Sequence, residues 1–137
     1  MEKKTMYVRL DPIDQGCKPL TKVIESDDNS TFDDLVKRLL DPRADKYNPG
    51  YNPSERETAE VIAEQYQQTA MQPYVSQLTA KTNEGTEIPI GLNDPIKKYY
   101  DQIANSKTKV SVDGFEGPCD LIDLSISENV PGGLKKD

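Results

Sequence analysis

The sequence predicts an α+β fold, a mixed β-sheet packed against helices, on three observations. Residues 6–40 read as strand, turn, strand and amphipathic helix; residues 74–103 repeat that order more loosely; residues 109–126 close the chain with a further pair of strands. A hairpin buries one face only, so each needs a covering layer, and the amphipathic helix that follows it is the natural lid.

Taken in order, Tyr7, Val8 and Leu10 form a first β-prone run and Leu20, Val23 and Ile24 a second, across a connection that contains proline, aspartate and glycine. Residues 26–31 are then rich in helix-capping types, and Phe32, Leu35, Val36, Leu39 and Leu40 recur on one helical face. Asp41-Pro42 ends that helix, because the residue before proline avoids the helical region. A turn-rich loop follows, in which Tyr-Asn-Pro occurs twice, at Tyr47 and Tyr51. Loop tyrosines more often fold back on their own domain than anchor a partner, and these are assigned to structure. Ser54-Glu-Arg-Glu57 has the spacing of a capping box and predicts a helix to about Thr69, with a narrow face of Ala59, Ile62, Ala63 and Tyr66. Residues 74–79 and 87–92 are strand-like around the turn signal Asn83-Glu-Gly-Thr86, and Pro89 confines the second of them to a sheet edge. Asp94 as N-cap and Pro95 at the first helical position start a further helix, with Ile96, Tyr99, Tyr100 and Ile103 inward. Residues 109–112 and 121–126 flank a turn over residues 113–118, and Leu124 and Ile126 alternate with Asp123, Ser125 and Ser127, the mark of a strand with one wet face. Residues 1–128 form one α+β domain on this reading, and residues 129–137 a flexible C-terminal tail.

Composition narrows the function. The chain has 137 residues, 34% of them apolar, and a net charge of −7. Its pI is near 4.7 and its mean hydropathy −0.76. Such acidity opposes binding to nucleic acid or anionic membrane and favours protein partners with basic surfaces. No apolar run of membrane-spanning length occurs, and Met1-Glu-Lys-Lys-Thr5 leads straight into a strand without a signal core, so a cytoplasmic location is expected. The chain contains no histidine, which removes Ser-His-Asp and Cys-His nucleophile activation and imidazole metal ligation. Cys17 and Cys119 lack the spacing of a disulfide framework or a zinc site and read as reduced structural thiols.

Three stretches are site candidates. Asp27, Asp28, Asp33 and Asp34 crowd the first helix start, but not with the alternate-position oxygens of a calcium loop; helix capping and dipole complementarity account for them. Gly114-Phe-Glu-Gly117 is glycine-spaced but joins two strands instead of opening a helix, so a turn is sufficient explanation. Gly132 and Gly133, just past the final strand, make a flexible tail without side chains that can thread a narrow cleft where a bulkier residue would clash, a composition shared with any disordered chain end. No catalytic, metal or cofactor-binding residue is expected.

The opening hairpin and helix, with Leu121-Ile-Asp-Leu-Ser-Ile126 running on to Gly132-Gly133, resemble the ubiquitin-like β-grasp family over residues 6–40 and 120–133. The resemblance implies a β-grasp-like sheet into which residues 42–73 insert a loop and helix. For the family's conjugating members it also implies removal of residues 134–137 by a protease, adenylation of the Gly133 carboxylate, and its transfer to a thiol and then a lysine. The expected function is a non-enzymatic protein-interaction domain, in its sharpest form a ubiquitin-like modifier or adaptor. The alternative is a small acidic inhibitor, a nucleic-acid-mimicking decoy from a mobile element that blocks a partner enzyme.

Overall fold

A computed structural model describes residues 3–13, 18–27, 29–41, 53–72, 75–112 and 115–128. Along the chain run β1 (Lys3–Asp11), β2 (Leu20–Asp27), α1 (Phe32–Leu40), α2 (Pro53–Met71), β3 (Ser76–Lys81), β4 (Glu87–Pro89), a 3-10 turn at Ile96–Lys98, α3 (Tyr100–Ile103), β5 (Asn105–Val112) and β6 (Phe115–Glu128). The class is therefore α+β, with a mixed sheet. Five strands lie in the order β2-β1-β6-β3-β4, and β5 joins the same sheet through β6.

Register explains the layering. β1 and β2 are antiparallel, with Met6 opposite Ile24 and Leu10 opposite Leu20. β1 and β6 run parallel, with Val8 beside Ile122 and Leu10 beside Leu124. β3 returns antiparallel to β6, with Leu78 against Ile126 and Ala80 against Leu124. Side chains alternate across a strand, so these residues share one face of the sheet. That face packs on Phe32, Leu35, Val36 and Leu39 of α1, Ala59, Ile62 and Tyr66 of α2, and Tyr100 and Ile103 of α3 in a single hydrophobic cluster. Met6, Val8, Leu10, Ile122 and Leu124 are wholly buried, so the centre of the core lies on the parallel pair.

Helix α1 is held at both ends. Thr31 Oγ1 accepts from the Asp34 amide at 3.2 Å, and the Thr31 amide donates to Asp34 Oδ2 at 3.4 Å, a reciprocal capping box. The Phe32 and Asp33 amides, orphans in an isolated helix, donate to the carbonyls of Asp94 and Leu92. At the other end the side chain of Lys22, on the core-facing side of β2 and only 2% exposed, donates to the carbonyls of Arg38 at 2.6 Å and Asp41 at 2.5 Å. A buried ammonium is tolerated there because it meets the negative end of the helix and donates to carbonyls at that end.

Several expectations are corrected. Helix α2 starts at Pro53, so Ser54 lies inside it and not at its cap; proline, with φ preset and no amide hydrogen, takes the first position instead. Its buried stripe is Ala59, Ile62, Tyr66 and Thr69, while Ala63 faces solvent. The helix expected from Pro95 is broken into a 3-10 turn and a single α turn, and Asp94 does not cap it. The Asp94 carboxylate instead accepts from Tyr99 Oη at 2.9 Å and Lys98 Nζ at 3.4 Å. It sits so close to Gly91 that a Cβ there would lie 2.6 Å from Asp94 Oδ2. The expected strand over residues 87–92 stops at Pro89, at the end of the sheet order where proline is tolerated. Residues 115–118, expected in a turn, belong to β6, with Phe115 opposite Val112 and Gly117 opposite Val110. Only Asp113-Gly114 then separate β5 from β6, and that dipeptide, whose conformation lies outside the described residues, has the composition of a two-residue hairpin link. The turn between β3 and β4 is as expected: Gly85 takes φ +90°, and its amide donates to the Thr82 carbonyl at 2.9 Å.

Candidate interaction face

With the helical cluster on one side, the other face of the sheet carries the residues of opposite parity. On β1 these are Tyr7, Arg9 and Asp11; on β6, Leu121, Asp123, Ser125 and Ser127; on β3 and β4, Thr79, Lys81 and Glu87. Val23 of β2 is buried and stands opposite Tyr7, outside the helical cluster. Tyr7 and Leu121 continue this row toward the centre of the sheet.

Beyond the apolar row the face turns ionic. Arg9 stands beside Asp123 across the parallel pair, Lys81 follows on β3, and Glu87 lies opposite Lys81. Signs therefore alternate across four strands, which suits cross-strand pairing and avoids like charges directly opposite one another. Arg9 Nη2 reaches along its own strand to Asp11 Oδ1 at 3.1 Å, and Thr79 Oγ1 donates to Glu87 Oε1 at 3.0 Å. Arg9 Nε is buried and has no hydrogen-bond partner among the described residues. Burial pushes the Asp123 carboxyl above its ordinary value; Arg9 and Lys81 oppose that, and Asp11 and Glu87 add to it. Over the end of β1 and β6 the face deepens into a groove of about 590 Å³ that runs from Asp11 and Pro12 past Ser125 to Glu87 and Glu128.

The residues singled out from sequence are not gathered here. Gly132 and Gly133 lie outside the described residues, as do Cys17, Asp28, Gly114 and the loop tyrosines Tyr47 and Tyr51. Asp27, Asp33 and Asp34 are near one another but separately engaged. Asp27 Oδ1 accepts from the Asn29 amide, Asp34 completes the α1 cap, and Asp33 takes Tyr66 Oη at 2.5 Å and Lys37 Nζ at 2.9 Å. The Tyr66 hydrogen bond, with help from Lys37, holds the Asp33 carboxyl below its ordinary value. Among the described residues no group of three or more carboxylates and cysteines is placed to hold a metal. Cys119 is buried and free of disulfide; burial, with Asp120 beside it, pushes its thiol up, the opposite of what a nucleophilic thiolate needs. No helix among the described residues is long and apolar enough to cross a membrane.

Sequence reasoning reached Asp123 only as part of a wet face and passed over Arg9, Lys81 and Glu87. The available signal was the period-two alternation in β1 and β6; which strands lie side by side was not in it. No family model matches the chain, and no curated protein matches it in sequence.

Proposed function

We propose that the chain is a non-enzymatic protein-interaction domain of β-grasp type, acting as a ubiquitin-like modifier or adaptor through its Gly132-Gly133 tail. The observation that carries this reading is the strand order β2-β1-β6-β3-β4, with a parallel pair, β1 and β6, at its centre and the helices packed on one face. In ubiquitin-like proteins a first hairpin packs on a helix and the last strand leads into the diglycine. Here β6 is that last strand, and it ends at Glu128, shortly before Gly132. Helix α2 with the loop before it is then an insertion, and β5 an added strand. A chain without histidine and with a protonated, buried Cys119 supports an interaction role over a catalytic one.

The −7 charge favours basic partners and also gives the decoy reading its basis. Against a decoy, Asp33, Asp34 and Asp94 are engaged by hydrogen bonds within the fold.

Incubation of the full chain with cell extract and ATP tests the modifier reading. Intact mass should show loss of residues 134–137 and covalent adducts that disappear in Gly133→Ala. Adducts unchanged by that substitution, or none with either chain, would remove it.

A further inference from the structure

We propose that the groove over the ends of β1 and β6, between Asp11 on β1 and Glu87 on β4, is the docking site for an extended basic segment of a partner protein. The inference rests on the reading of the chain as an interaction domain and gives that reading a surface.

Charge selects the occupant. Among the described residues the groove is lined by three carboxylates, Asp11, Glu87 and Glu128, and by one guanidinium, Arg9. Arg9 is already bonded to Asp11, so the groove has a surplus of negative charge, of the same sign as the whole chain. Long-range attraction and local complementarity therefore favour the same ligand, a cationic one. The walls select a lysine or arginine side chain over a small inorganic cation: Pro12, Ile13 and Pro19 line one end and accept the methylene stem, while carboxylates meet the head group.

Spacing selects an extended backbone. Asp11 stands level with Ser125, Thr79 and Pro89, and Glu87 lies two residues further along β4, so the two positions are three inter-strand steps across and one two-residue step along, about 16 Å apart. Residues four apart in an extended chain are about 13 Å apart and point the same way. A segment laid obliquely across the strands with basic residues at alternate positions thus brings one cation to Asp11 and, with the reach of a lysine or arginine side chain, another to Glu87, passing Ser125 on the way.

The test is an NMR titration of the isotope-labelled full chain with an acetylated, amidated hexapeptide of alternating lysine and valine. Saturable shifts should centre on Arg9, Asp11, Glu87 and residues 125–128, and weaken as salt is raised. The double variant Glu87→Gln, Glu128→Gln should bind about fivefold or more weakly, whereas Glu60→Gln, Glu64→Gln, on the exposed side of α2, should bind as the parent does. An alternating glutamate and valine peptide should leave the spectrum unchanged. Equal weakening in both double variants, shifts spread over every acidic surface, or no saturable binding by the parent would overturn the proposal. These outcomes are independent of Gly133, so failure here leaves the conjugation assay to judge the modifier reading by itself.

Discussion

Asp123 shows how a single residue reports on the face around it. It is half-buried between Arg9 and Lys81, yet its carboxyl is pushed up, so the desolvation it suffers exceeds what the two cations return. Because it binds a proton more readily folded than unfolded, it weakens the fold at neutral pH. That penalty is relieved as pH falls through its raised folded value and is gone below the unfolded value near 3.8. Asp123→Asn, which removes the charge at nearly constant shape, should therefore raise the thermal midpoint at neutral pH. For a half-buried group still screened by solvent the gain is under about 1 kcal/mol. The difference from the parent should shrink as the solution is acidified, as followed by circular dichroism melts across pH. A midpoint at neutral pH equal to or below the parent's would mean that ion pairing with Arg9 and Lys81 dominates instead. Asp33 behaves in the opposite sense: its lowered carboxyl supports the fold above the unfolded value of 3.8 and is lost on acidification.

Among the elements, α1 is the most fully determined, because each end has its own chemistry. Lys22 serves the C-terminus of α1: Lys22→Met keeps the aliphatic stem but removes the donor to the carbonyls of Arg38 and Asp41. Urea denaturation should show a loss of about 2 kcal/mol; an unchanged midpoint would mean that those carbonyls find other donors. The start of α1 and its buried face were legible in the sequence, since capping residues and a 3.6-residue period are local signals. Lys22 was not, because its position between Leu20 and Ile24 puts a charge on the core side of β2, and only the distant helix end explains it. The same divide runs through the second half. The β3–β4 turn was readable from Asn83-Glu-Gly-Thr86, and Gly85 does adopt the positive φ such a turn uses. The start of β6 was not readable: Gly117-Pro118 suggests a turn, and only pairing with Val110 and Lys109 draws those residues into a strand. Asp94 has the composition of a helix cap, but Tyr99 and Lys98 compete for its carboxylate and the helix behind it shortens to one turn.

For the molecule as a whole, the arrangement follows from β6. It is the longest strand, at 14 residues, and it takes β5 and then β3 along one edge while β1 lies parallel on the other. That sharing gathers Arg9, Asp123, Lys81 and Glu87 onto one face from positions spread over more than a hundred residues of sequence, which is why alternation in the separate strands did not reveal the row. It also sets the end of β6, at Glu128, beside the groove. The reading of face, groove and tail all depends on β1 and β6 being parallel neighbours. Cross-strand nuclear Overhauser contacts in the labelled full chain measure this most directly. Contacts linking Val8 with Ile122 and Leu10 with Leu124, and Leu78 with Ile126 on the other edge, are the predicted result; β1 without contacts to residues 120–125 would contradict it.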